Sequence, residues 1–177
     1  MMQLLTQDIQ ESYPNVSISL GIIKHGRFVD KLHALCSHNN ATTYSFLVGF
    51  DTLIRILDPK YYDRDVPLAQ SLAPVMDSAS FLVLTRRPDA ISKTPTSMAD
   101  DTGNQVQFVE NLRQGLLPGL PTAWANKIDI IEATSDTDQV SSSVARKLAS
   151  ECRLTTGSIV SNRMAHYIGE HQLYKLN

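Results

Sequence analysis

The chain has 177 residues, 42% of them hydrophobic and 19% charged, with 16 Lys+Arg against 18 Asp+Glu and a formal net charge of −2. This composition excludes a wholly disordered chain and fits one ordinary soluble domain over residues 1–177. The near-neutral balance, with an isoelectric point of about 6.2, argues against the strongly basic face of a nucleic-acid binder. A chain of this length buries roughly 70% of its unfolded surface and needs neither disulfide nor structural metal.

The two cysteines, Cys36 and Cys152, have no CxxC spacing and no clustered histidine, so a zinc site is unsupported. Both are expected as buried thiols in a reducing compartment. The first fourteen residues contain no Lys or Arg, and no stretch reaches about 18 consecutive apolar residues. The expectation is a cytoplasmic protein, with the nucleus as the alternative. Asn40-Ala41-Thr42 matches a glycosylation acceptor only by composition.

In chain order, Leu4, Leu5 and Ile9 predict a helix over 2–12, stopped ahead of Pro14. The alternation of Val16, Ile18, Leu20 and Ile22 in VSISLGIIK predicts a strand. Phe28, Leu32 and Leu35 restore helical spacing. YSFLVGF, residues 44–50, reads as a strand covered on both faces, and Leu53, Ile54 and Leu57 as the apolar side of a helix ended by Asp58-Pro59.

Residues 67–79 read as a further helix, FLVLTRR at 81–87 as a buried strand, and 88–103 as a loop. A short helix at 106–117, a last strand at 127–133 and two helices, at 141–148 and 158–170, complete the pattern. Strands separated by helices predict a mostly parallel α/β sheet with helices on both faces.

Ligands of such sheets bind beyond the carboxyl ends of the strands. After the 44–50 strand come Gly49, which lets a ligand approach the backbone, and Asp51, which either accepts from a ribose or caps the helix. After the 81–87 strand stand Arg86 and Arg87. After the last strand, Ser142 and Ser143 open a helix and Arg146 lies one turn on, a combination suited to an anion at the positive end of a helix dipole. The plain alternative is a serine cap beside an exposed arginine. Lys60, Tyr61 and Tyr62 offer a cation and two aromatic faces for a flat heterocycle, and at least one of the tyrosines is expected to do no more than pack on a helix. His25, His33, His38, His166 and His171 form no HxGH, HxxxH or HExxH, and P-loop, GxGxxG and GxSxG motifs are absent. These histidines are expected at surfaces or helix ends.

The ordered series SFLVGFDTLIRILDPKYYD, FLVLTRRP, KIDIIEATSDTDQVSSSVARKLA and MAHYIGEHQLYKL resembles the fungal branch of the nicotinamide mononucleotide adenylyltransferases, within the Rossmann-like HxGH nucleotidylyltransferase superfamily. The resemblance implies transfer of AMP from ATP to nicotinamide or nicotinate mononucleotide, giving the dinucleotide and pyrophosphate with Mg²⁺ assisting. By it, Gly49 and Asp51 lie against the nucleotide and its ribose, and Tyr61 or Tyr62 near the pyridine ring. Arg86 approaches the phosphates, and Ser142, Ser143 and Arg146 hold the ATP phosphates, with VSSSVAR in place of the family's ISSTxxR. The implied partners are ATP and nicotinamide mononucleotide, with no nucleic acid and no membrane; a homo-oligomer is compatible with the sequence.

One departure stands out. The family domain opens with a strand and a GxFxPxHxGH loop whose histidines stabilise phosphate charge, and this sequence contains no such loop. The first helix resembles the family's second, so the sheet is expected to lack the central strand, with the VSISLGIIK and FLVLTRR strands left without a shared partner. The loss of such an electrostatic group commonly costs about 10²–10³ in rate. A non-catalytic nucleotide-binding or regulatory domain is therefore the alternative function. Transfer to a different acceptor, as in cytidylyltransferases, is a third.

Overall fold

A computed structural model describes residues 1–38, 43–85, 105–132, 142–151, 153–154 and 159–174. The chain divides into two compact units: Lys24–Thr134, and Met1–Ile23 together with Ser135–Asn177.

The first unit is an α/β layer structure. Its elements are α2 (Phe28–His38), β1 (Tyr44–Gly49), α3 (Phe50–Ile56), α4 (Leu68–Ser78), β2 (Ala79–Leu84), α5 (Gln105–Arg113) and β3 (Ile128–Ile131). The three strands form one parallel sheet in the order β1-β2-β3, flanked by helices, as the alternation of strands and helices requires. Phe46 pairs with Phe81, and Phe81 with Ile128, so these three point to the same face.

That face is the core. Phe81 is fully buried, with the Phe28 ring at 6.0 Å and the Phe46 ring at 5.7 Å, while α3 and α5 meet through Phe50 and Phe108 at 5.6 Å. Leu53, Leu57, Leu72 and Leu112 are sealed beside them, because their i, i+3, i+4 spacing turns one stripe of each helix toward the sheet.

The opposite face is different. Ser45 and Leu47 of β1 are exposed, Leu47 by 77%, and Leu84 and Ile131 are exposed as well. The expectation that 44–50 is covered on both faces is thus corrected: Tyr44, Phe46 and Val48 pack on the core, and the residues between them do not. A run such as YSFLVGF does not separate the two cases, because Leu47 is as apolar as its inward-facing neighbours. On this outer face the hydroxyls of Ser45 and Ser80 bond each other across the strands at 2.9 Å.

Two further expectations are corrected. VSISLGIIK forms no strand; it carries no regular structure, with Ile22 99% exposed. Alternating side chains favour a pleated conformation, but a strand needs a neighbour for its N–H and C=O groups, and the described sheet offers it none. FLVLT is the middle strand of the described sheet, paired on both sides. Cys36, expected buried, is exposed, and Cys152 lies outside the described residues. The loop expected at 88–103 also lies outside them.

The second unit is helical in its described part: α1 (Met2–Ser12), α6 (Ser142–Ser150) and α7 (Asn162–Glu170). α1 packs against α7, and Arg163 ties them, reaching Asp8 at 3.1 Å and Glu11 at 3.0 Å. Ser161 caps α7 by accepting from the Met164 N–H at 3.3 Å. Among the described residues no helix is long and apolar enough to cross a membrane.

Candidate functional site

The carboxyl ends of the three strands form a row: Gly49 stands beside Leu84, and Leu84 beside Ile131. The Thr85 N–H donates to the Ile131 carbonyl at 2.9 Å, so the β2–β3 pairing extends one residue past the strand. Gly49 is the N-cap of α3 with φ −81° and ψ 159°, and offers no side-chain cap. Asp51 therefore lies within the first helical turn rather than at the cap. Its carboxylate leans back over Gly49: a Cβ built there would meet Oδ1 at 2.8 Å. An exposed carboxylate and a backbone without a Cβ share one spot at the carboxyl edge of the parallel sheet, the edge where such sheets commonly take ligands.

Within the same unit a cleft of about 490 Å³ opens between residues 57–68 and 118–120. That volume falls inside the range of about 300–1,000 Å³ common for small-molecule sites. Leu57, Val66, Leu68 and Leu120 supply apolar wall, and Pro59, Pro67 and Pro118 stiffen it. Gly119 makes the far wall possible, since its φ of 79° is a left-handed value that side-chain-bearing residues avoid.

Polar groups at this cleft are fixed in distinct ways. Asp58 uses both carboxylate oxygens on one residue: Oδ1 accepts the Lys60 N–H at 3.1 Å and Oδ2 the Lys60 ammonium at 2.6 Å. That hydrogen bond chiefly raises the Lys60 pKa above its ordinary value, against a smaller opposing effect of desolvation. The Lys60 ammonium also lies 4.9 Å from the Tyr61 ring centroid. Tyr62 packs on the core and donates its hydroxyl to the Ile56 carbonyl at 2.8 Å. Burial pushes its phenol up to about 12, with Arg27 nearby pulling the other way and Asp30 adding to the rise. Asp63 folds back onto its own turn and accepts the Asp65 N–H at 3.1 Å.

Of the sequence-predicted residues, Lys60 and Tyr62 thus come together in one cleft, Tyr61 stands beside Lys60 outside its walls, and Gly49 touches Asp51. Tyr62 is the tyrosine that packs. The second unit carries the remaining residues: Ser142 and Ser143 open α6, exposed, and Arg146 reaches back to the Ser143 hydroxyl at 3.3 Å. Arg86 and Arg87 lie outside the described residues. His33, His38, His166 and His171 are exposed, as expected, and His25 is half-buried. Asp58, Arg64 and the 118–120 wall were not foreseen; only the Asp58-Pro59 break hinted at an ordered turn. Among the described residues no three His, Cys, Asp or Glu side chains converge to hold a metal ion.

The first unit thus has an α/β architecture with a parallel sheet, a glycine–aspartate junction at the sheet's carboxyl edge, and a cleft elsewhere in the same unit. No family model matches the chain. Over 127 residues, 72% of the chain, it is 33% identical to the Schizosaccharomyces pombe protein named "Putative nicotinamide mononucleotide adenylyltransferase". The chain spans about half, 47%, of that relative's length.

Proposed function

We propose that this chain carries out, or forms part of a protein that carries out, nucleotidyl transfer in NAD synthesis. ATP would give AMP to nicotinamide or nicotinate mononucleotide, and pyrophosphate would leave. The observation that carries this reading is the 33% identity over 127 residues to the fission-yeast protein. The Gly49–Asp51 junction at the ligand edge of the sheet agrees with it.

In this reading a phosphate oxygen of the mononucleotide attacks the α-phosphorus of ATP. One P–O bond forms there as the bond to the β-phosphate oxygen breaks, with no covalent enzyme intermediate. The protein's part is positioning and charge neutralisation. Asp51 accepts from ribose hydroxyls, and Gly49 allows the nucleotide close to the strand end. Taken by itself, the helical unit offers Ser142, Ser143, the N–H groups of the first turn of α6 and Arg146 as candidates to meet phosphate oxygens. Arg86 adds a second cation. Mg²⁺ would enter with ATP as part of the substrate, and no step is routed through it.

The test is direct. Purified chain with ATP-Mg²⁺ and nicotinamide mononucleotide is expected to yield NAD, and a folded sample that yields none rejects catalysis. The second reading is a non-catalytic nucleotide-binding domain. Calorimetric binding of ATP without product supports that one.

A further inference from the structure

We propose that residues 16–21 are an exchange strand: in a pair of copies of this chain, each lays VSISLG in parallel along the open edge of β1 in the other. The contact stands apart from nucleotidyl transfer. In the described chain this segment has no regular structure, and among the described residues 17–26 take part in no backbone–backbone hydrogen bond. Val16 and Leu20 are half exposed and Ile22 wholly so, a run of large apolar side chains that gains by being covered.

The sequence pattern selects the partner edge. VSISLG (16–21), YSFLVG (44–49) and ASFLVL (79–84) each carry serine at the second position and apolar residues at the first, third and fifth. β1 and β2 pair in this very register, Ser45 beside Ser80 and Phe46 beside Phe81. Continued outward, it sets Ile18 next to Phe46, in line with the core row, and Ser17 next to Ser45. The Ser45 and Ser80 hydroxyls already bond each other at 2.9 Å, and a hydroxyl both donates and accepts, so Ser17 extends that row.

The two edges of the described sheet differ. β3 is four residues long and carries Asp129, a charge of the kind that discourages edge pairing. β1 is six residues long with neither charge nor proline, and residues 16–21 are uncharged as well. An unguarded edge and an exposed segment that matches it lie in the same chain, so two copies satisfy each other reciprocally about one two-fold axis.

Sedimentation of the full chain is expected to show a monomer–dimer equilibrium. Leu20→Asp, at a position exposed in the single chain, should leave the melting temperature of the dilute monomer unchanged and weaken the dimer about tenfold or more, because it sets a charge in the core row. Ile131→Asp, on the outer face at β3, should leave the dimer intact, which separates strand exchange from stacking of sheet faces. The register is read by mixing Ser17→Cys chains with Ser45→Cys chains, both in a Cys36→Ser, Cys152→Ser background. A short bis-maleimide is expected to join unlike chains in preference to like ones. A monomer at every concentration, a dimer that survives Leu20→Asp or is lost in Ile131→Asp, or no preference for unlike chains would each overturn the proposal. Crosslinking only within single chains of a variant carrying both new cysteines would overturn it too, in favour of closure of the segment on its own sheet.

Discussion

The Asp51 carboxylate occupies the space that a side chain at Gly49 would need, with Oδ1 only 2.8 Å from where a Cβ would stand. Because Oδ1 is the far end of an exposed side chain, it can swing away at little cost. Gly49→Ala is therefore expected to cost less than about 1 kcal/mol of stability. In the proposed function it should nevertheless weaken ATP binding about as much as Asp51→Ala, since both displace the same carboxylate. Urea unfolding and ATP titration of the two variants check this; a Gly49→Ala chain that binds ATP as the parent does would remove Asp51 from the nucleotide site.

At the other candidate position, Arg146→Ala and Ser142→Ala remove the charge and a hydroxyl from the start of α6. ATP affinity is expected to fall about tenfold for the arginine and less for the serine, in line with hydrogen bonds to charged groups. Calorimetry at two salt concentrations should show the arginine effect shrinking with salt.

Phe81 sets the stability of the sheet. It is fully buried between Phe28 and Phe46, so Phe81→Ala should cost about 3–5 kcal/mol. Leu47→Ala, 77% exposed on the adjacent strand, should stay within about 0.5 kcal/mol. Urea midpoints of the pair would test the assignment of core and outer faces.

Tyr62 gives the unit an alkaline limit. Its phenol is raised from 10.0 to about 12, so over that interval the folded state keeps a proton that the unfolded state has lost. The titration of Tyr62 thus leaves stability unchanged below pH 10 and lowers it as pH rises from 10 toward 12. Tyr62→Phe should cost about 0.5–1.5 kcal/mol at neutral pH through the bond to Ile56, and its unfolding free energy should decline less steeply above pH 10. Urea unfolding at pH 8, 10 and 11 measures both effects.

Pro74 lies inside α4, where it withdraws an N–H from the helix. Such a residue costs a helix interior about 3 kcal/mol, offset by up to about 1 kcal/mol of restricted unfolded chain. Pro74→Ala is expected to raise the melting temperature; a fall would show that Pro74 itself is needed by the packing of Leu72 and Val75.

What the sequence reveals is what depends on neighbours along the chain. Pro14 and the Leu4–Ile9 spacing predict α1, and the apolar runs locate the three strands of the described sheet to within three residues at each end. Gly49 and Asp51 are legible as a junction because glycine and aspartate have distinct backbone and charge properties at a strand end. What escapes depends on partners distant in sequence. VSISLGIIK has a strand's alternation, yet strand formation needs a second backbone beside it. The cleft escapes because one wall, 118–120, comes from beyond β2 and α5, and no local pattern pairs it with Asp58 or Arg64. The outward direction of Leu47 escapes because a leucine does not announce which side of a strand is covered.

The exposed apolar side chains on the outer face of the sheet, Leu47, Leu84 and Ile131, also govern handling of the protein on the bench. With a formal charge of only −2, little long-range repulsion keeps molecules apart when such rows meet. Concentrated stocks will turn cloudy soonest in sulfate and near the isoelectric point, and will clear in low salt at mildly alkaline pH.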